Sequence, residues 1–194
     1  MYPFAILKLL NTLISVKPWL TNIMLYNTIR NERYKARLVT QGFKQLPGVD
    51  YDQTILPVIK PTTIRLILSH VISNNWLIRQ LDIKNTFLNG TLTETVFIRQ
   101  PPGFIHLDHP THICHLHKSF YGLKQAPRAW FQTFSSFLLS KGFIQSKADT
   151  ILYTFHFGDS LVFLLVYIDD IIISAPPLPC SLKLCLDLNP PFLK

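Results

Sequence analysis

Residues 162–174 read Val-Phe-Leu-Leu-Val-Tyr-Ile-Asp-Asp-Ile-Ile-Ile-Ser: two runs rich in Val, Leu and Ile around the adjacent aspartates Asp169 and Asp170. Apolar runs of this length read as buried strands. Asp is disfavoured inside strands, so the pair is expected at the tight turn that joins them. Two carboxylates at a buried hairpin repel each other and lose solvation unless a cation meets them. A hard, oxygen-seeking ion such as Mg²⁺ suits carboxylates presented by a stiff hairpin. The alternative is an Asp-Asp turn facing water. The long apolar flanks weigh against it, and so does a third carboxylate with similar flanks upstream, Asp82.

Length and charge narrow the field of partners. A chain of 194 residues holds one sizeable domain or two small subdomains. At 48% hydrophobic it can build a real core, which excludes a disordered chain. The net charge of +8 suits a polyanionic partner, although basic proteins are common and charge alone decides little. Three cysteines, Cys114, Cys180 and Cys185, are an odd number without repeated spacing. That argues against a disulfide scaffold and for a reducing, intracellular setting, cytoplasmic or nuclear. No apolar stretch reaches the roughly 18 residues of a transmembrane helix, so no membrane partner is expected. Residues 1–15 are apolar but lack a basic leader and a small-residue cleavage site, so no signal peptide is expected.

Residues 1–29 carry no usable period. Basic residues then crowd at Arg30, Arg33, Lys35, Arg37 and Lys44 against the single Glu32. Residues 34–40 alternate and stop before Gly42, which predicts a strand with Lys35 and Arg37 on one face. Such a pair can hold a triphosphate or a nucleic-acid backbone, or it is a solvated strand face. Residues 45–61 read as loop. Thr62 and Thr63 are candidate caps for a helix running to about Asn74, with Ile64, Ile67, Leu68 and Val71 at helical spacing. A strand over 76–83 carries Asp82 near its end, a turn follows over 84–90, and residues 94–98 form another strand.

His112, Cys114, His115 and His117 invite a zinc reading. On a strand, however, the first two point one way and the last two the other, and the spacing misses the separated ligand pairs of structural zinc sites. A plain strand is the better expectation. Residues 121–128 form a glycine-bearing loop entering a helix, with Pro127 in its first turn. Trp130, Phe131, Phe134, Phe137 and Leu138 form its apolar face and Gly142 ends it. Lys124, Gln125 and Arg128 stand at the helix entrance, where anions are favoured. Residues 150–157 and 161–166, joined at Gly158-Asp159, make a hairpin. From Ala175 the chain is proline-rich with no convincing element.

Five strings stand in register with Tyr167-Ile168-Asp169-Asp170. They are Tyr34-Lys35-Ala36-Arg37-Leu38-Val39, Gln80-Leu81-Asp82-Ile83-Lys84, Phe87-Leu88-Asn89-Gly90, Gln100-Pro101-Pro102-Gly103-Phe104 and residues 119–128, which end Tyr-Gly-Leu-Lys-Gln-Ala-Pro-Arg. In this order they resemble the reverse transcriptases of copia-type retrotransposons, over about residues 31–174. The resemblance implies an α+β fold with the fingers and palm of a right-hand polymerase, the palm an antiparallel sheet backed by helices. It divides the chain into a divergent segment 1–29, fingers and palm over 30–174, and a proline-rich tail 175–194, with the thumb absent.

The resemblance also implies roles. Asp82, Asp169 and Asp170 match the family's catalytic aspartates and metal ligands for two Mg²⁺ (or Mn²⁺) ions. Those ions would clamp the attacking 3′-hydroxyl and the leaving pyrophosphate as dNTPs are added to a primer on an RNA or DNA template. Lys35 and Arg37 match the grip on the incoming triphosphate. Phe87 matches the ring that excludes a ribose 2′-hydroxyl, with a buried core Phe as the alternative. Tyr121, Gly122, Leu123, Lys124 and Pro127 match the loop beside template and nascent pair, with Gln125 a candidate nucleotide or template contact. A non-catalytic retrotransposon remnant that at most binds nucleic acid shares every one of these motifs. A metal-dependent phosphohydrolase could use the same carboxylates but needs neither the fingers strings nor the template-side loop.

Overall fold

The computed structural model describes residues 13–14, 23–30, 33–83, 85–101, 103–158, 160–168 and 170–177. Along the chain run strands β1 (Leu13–Ile14), β2 (Ile23–Arg30) and β3 (Arg33–Thr40), helix α1 (Pro61–Ser73), and strands β4 (Leu77–Asp82), β5 (Thr91–Arg99) and β6 (Ile113–Lys118). Helix α2 (Ala126–Ser140) follows, then β7 (Ile144–Gln145), β8 (Leu152–Phe157), β9 (Ser160–Tyr167) and β10 (Asp170–Ala175). The fold is mixed α/β with antiparallel sheets. It divides into a unit of Met1–Ile55 with Phe87–Trp130 and a unit of Leu56–Thr86 with Phe131–Lys194.

In the first unit β2 and β3 pair as an antiparallel ribbon, and a second sheet runs in the order β1-β6-β5. Strands β1 and β2 fall in the stretch where no period is visible in the sequence. Alternation turns Val96 and Ile98 of β5 and Cys114 and Leu116 of β6 to one side. There they form a core with Phe120, Leu123 and Ala126, against which Phe87, Leu88 and Leu92 pack. Strand β5 starts three residues earlier than its sequence suggests and carries an irregularity between Thr91 and Val96. The zinc ligands weighed above do not converge. The His112 ring stacks flat on His109 at 4.3 Å, while the His115 and His117 rings meet each other at 4.5 Å. Cys114 lies in the core, where burial pushes its thiol pKa up.

In the second unit a five-stranded antiparallel sheet runs β4-β10-β9-β8-β7. Ile67 and Val71, one turn apart on α1, pack on Leu165, with Ile59, Trp76, Leu152, Phe163 and Ile172 around them. Trp76 stacks on Phe163 and the His70 ring meets both edge-on. On α2 the buried positions are Ala126, Ala129, Trp130, Phe134 and Leu138, whereas Phe131 and Phe137 are only half-buried. The apolar face is thus narrower than the run of aromatics suggests. Gly142 ends this helix at φ +87°, a conformation that glycine adopts without strain.

The start of α1 departs from expectation. Its cap position is Lys60, with Pro61 as first helical residue, and no local side chain caps it. Thr63 instead donates its hydroxyl to Asp149 Oδ2 (2.7 Å), which also accepts the Lys60 N–H (3.1 Å). Asp149 Oδ1 accepts the Ile151 N–H at 3.3 Å. A carboxylate 86 residues from Thr63 in sequence therefore does the work of a cap at the positive end of the helix dipole. Asp149 is 6% exposed. Burial opposes its ionisation, but the Thr63 hydroxyl, the two N–H groups and the Lys60 charge outweigh it and hold the carboxyl below its ordinary range.

A carboxylate depressed in the folded state stabilises the fold above its unfolded pKa of about 3.9 and loses that contribution as pH falls through the folded value. Asp149→Asn is expected to lower stability by about 1.5–3 kcal/mol at neutral pH, the range for hydrogen bonds to a charged group. Urea titrations at pH 7 and at progressively lower pH should show the gap between wild type and variant closing below about pH 4.

Candidate active site

The pairing of β4 with β10 decides where the carboxylates go. Asp82 is the last residue of β4 and Asp170 the first of β10, and in this register they are directly opposite partners. Directly opposed residues of an antiparallel pair have Cβ atoms about 4.5–5.5 Å apart. Two like charges so placed repel. The Gln80 amide donates to Asp170 Oδ1 at 2.9 Å, which orients one carboxylate without neutralising either. Among the described residues neither Asp82 nor Asp170 has an ion-pair partner. Alternation from Asp82 could have suggested Gln80, two residues earlier and so on the same face.

On its other side Asp170 pairs with Tyr167, the last residue of β9, and Ile168 follows directly. Asp170 is thus the first residue of a strand, where the sequence predicts a turn; Asp169 and Asp159 lie outside the described residues. Ile168 has φ +55°. A left-handed first residue is what primed hairpin turns require, and they ordinarily use Asn or Gly there. A β-branched residue in this region is strained by about 1–3 kcal/mol, so the flanking strands must impose the turn.

The other candidates fall in the first unit. Lys35 and Arg37 occupy β3, with Thr28 and Tyr26 as their partners on β2. The Phe87 ring is half-buried and meets Tyr121 edge-on at 5.6 Å. The Ser119 hydroxyl donates to the Phe87 carbonyl. Gly122 has φ +91°, and a Cβ there would lie 2.1 Å from the Thr40 carbonyl oxygen; one on Gly42 would lie 1.7 Å from the Gly122 oxygen. Two backbones therefore cross at glycines, and the Thr40 N–H and hydroxyl both donate to the Tyr121 carbonyl (2.7 and 3.0 Å). Leu123 is in the core and Pro127 stands in the first turn of α2.

Gln125 is 1% exposed, and its amide is engaged inside the unit. Its Oε1 accepts from Gln45 Nε2 (3.0 Å), and its Nε2 donates to the Asp50 carbonyl (3.2 Å). In this arrangement its amide ties the loop at residues 45–50 to the start of α2. Gln45, unremarked in the sequence, is its counterpart: 4% exposed, it accepts the Lys124 N–H at 2.8 Å, and its carbonyl accepts Lys124 Nζ at 3.1 Å. The Lys124 ammonium also lies 5.1 Å from the Tyr51 ring centroid. Gln45→Leu would leave the Lys124 N–H and the Gln125 oxygen without partners. Denaturant unfolding should show a loss of about 1–3 kcal/mol, the range for stranded buried polar groups.

A family model described as reverse transcriptase (RNA-dependent DNA polymerase) matches residues 14–180. The Retrovirus-related Pol polyprotein from transposon RE1 of Arabidopsis thaliana is 53% identical over 142 residues, 73% of this chain and 10% of that polyprotein. That from transposon TNT 1-94 of Nicotiana tabacum is 42% identical over 161 residues, 82% of this chain and 12% of that polyprotein. The Transposon Ty1-NL2 Gag-Pol polyprotein of Saccharomyces cerevisiae is 29% identical over 177 residues, 91% of this chain and 10% of that polyprotein. The chain thus spans about a tenth of the length of these curated relatives. With the family model covering most of its length, the chain belongs to the reverse transcriptase (RNA-dependent DNA polymerase) family, of the copia type.

Proposed function

We propose that this chain supplies the fingers and palm of an RNA-directed DNA polymerase, with residues 30–174 as the working region between a divergent segment 1–29 and a tail 175–194. The observation that carries the reading is the register that sets Asp82 opposite Asp170 at one end of a sheet. Two facing carboxylates without a cationic partner among the described residues form an all-oxygen donor set, which fits a hard divalent ion. Asp82, Asp170 and Asp169 would hold Mg²⁺ or Mn²⁺. When bound, two such ions supply electrostatic stabilisation of the entering and leaving oxygens in an in-line displacement.

The chain's own residues account for the rest. Gln80 fixes the orientation of the Asp170 carboxylate through its 2.9 Å hydrogen bond. Lys35 and Arg37 neutralise the triphosphate of an incoming dNTP. Phe87, buttressed by Tyr121, blocks a ribose 2′-hydroxyl and so selects deoxynucleotides. Tyr121, Gly122, Leu123, Lys124 and Pro127 line the path of the template, and Gln125 keeps that loop in shape from behind. The partners are an RNA or DNA template-primer and dNTPs.

The reading makes a paired demand on Asp82→Asn. Removing one of two opposed charges is expected to stabilise the metal-free protein slightly, by a few tenths of a kcal/mol. The same substitution should abolish Mg²⁺- or Mn²⁺-dependent primer extension on poly(rA)·oligo(dT), as should Asp169→Asn and Asp170→Asn. Extension by any of the three at the wild-type rate would refute the assignment.

A further inference from the structure

Residues Gly42–Lys44 form a single 3-10 turn that leaves the Phe43 ring 73% exposed. Exposed phenylalanines are ordinary on mobile loops, but this turn is held from both sides. Gly42 abuts the Gly122 carbonyl so closely that a Cβ has no room, and Gln45 is locked by Lys124 and Gln125. Lys44 Nζ lies 5.8 Å from the Phe43 ring centroid, a cation–π distance. The unit is basic in composition. The unit of Met1–Ile55 and Phe87–Trp130 holds eleven Lys and Arg against five Asp and Glu, so six of the chain's eight net positive charges fall there. Of the two acidic residues further along the loop, Asp50 and Asp52, the first has a carboxylate oxygen held by the Leu46 N–H at 2.7 Å.

We propose that Phe43 is a stacking platform for an unpaired base of a single-stranded nucleic acid, with Lys44 taking the adjoining phosphate. An aromatic face on a rigid turn beside a lysine accepts any base by stacking, without reading sequence. The choice of partner rests on the polymerase reading and on the charge of this unit. The platform itself rests on the exposure and bracing of the ring.

The test is fluorescence anisotropy of labelled oligo(rU) and oligo(dT) with the full chain, without divalent metal or dNTP. Phe43→Ala should weaken binding about fivefold or more, and Phe43→Trp should restore it with quenching of the added tryptophan. Lys44→Ala should flatten the dependence of log K on log salt by about 0.7. Leu46→Ala, at an exposed apolar residue of the same loop, should stay near wild type. Equal affinity of Phe43→Ala and wild type for both oligonucleotides would overturn the platform, as would no binding by wild type. So would an equal loss in Leu46→Ala, which would mark the loop as a general apolar contact such as a protein surface. RNA and DNA are separated by the two probes. Asp82→Asn should leave this binding intact, so failure of the platform and failure of the metal-centre reading give different results.

Discussion

Antiparallel pairing of β4 with β10 is the constraint from which the carboxylate site follows. Strand β10 lies between β4 and β9, so its backbone is paired on both edges. Ile171 and Ile173 are buried, while Ile172 packs with the core that Ile67 and Val71 of α1 form on Leu165. With apolar residues taken up on both faces, a slip of one residue would turn every side chain of the strand to the opposite face. The register is therefore stiff, and Asp82 and Asp170 face each other as its consequence. The left-handed Ile168 is the local strain at the end of that hairpin, imposed by strands that do not yield.

A second device, in the other unit, keeps a loop rigid without regular structure. Residues 40–51 and 119–126 are tied by Thr40 to the Tyr121 carbonyl, by backbone contact at Gly42 and Gly122, and by the buried Gln45–Gln125 amide pair. Each glutamine uses both ends of its amide. Such a network is stable only when complete, since any missing member strands a buried donor or acceptor. The result is a fixed stage from which Tyr121 meets Phe87 and Phe43 stands out into solvent.

What the sequence makes legible is local. The β9–β10 hairpin follows from long apolar runs interrupted by two aspartates. Helix α2 follows from Pro127, the spaced aromatics and Gly142, and β4 from its apolar run ending at Asp82. Pairing across distance leaves no such trace. Nothing local says that β4 adds to β10 with Asp82 opposite a residue 88 positions later. The Asp149 cap on α1 was hidden for the same reason, and Thr62 and Thr63 offered a plausible local substitute. Gln45 reads only as part of a loop and Gln125 as a candidate nucleotide or template contact, because burial of an amide depends on a partner 80 residues away. Strands β1 and β2 leave no mark in the sequence because their stretch lacks a regular alternation. The familiar strings supplied what periodicity could not, a reason to bring Asp82 and Asp170 together in advance.

The most direct test of the central claim is paramagnetic broadening of backbone amide resonances by substoichiometric Mn²⁺. If Asp82 and Asp170 share a divalent ion, residues around Asp82 at the end of β4 and around Asp170 at the start of β10 should broaden together at the same metal concentration, and Asp82→Asn should abolish both effects. Broadening confined to one strand, or of both strands unchanged in Asp82→Asn, would contradict it.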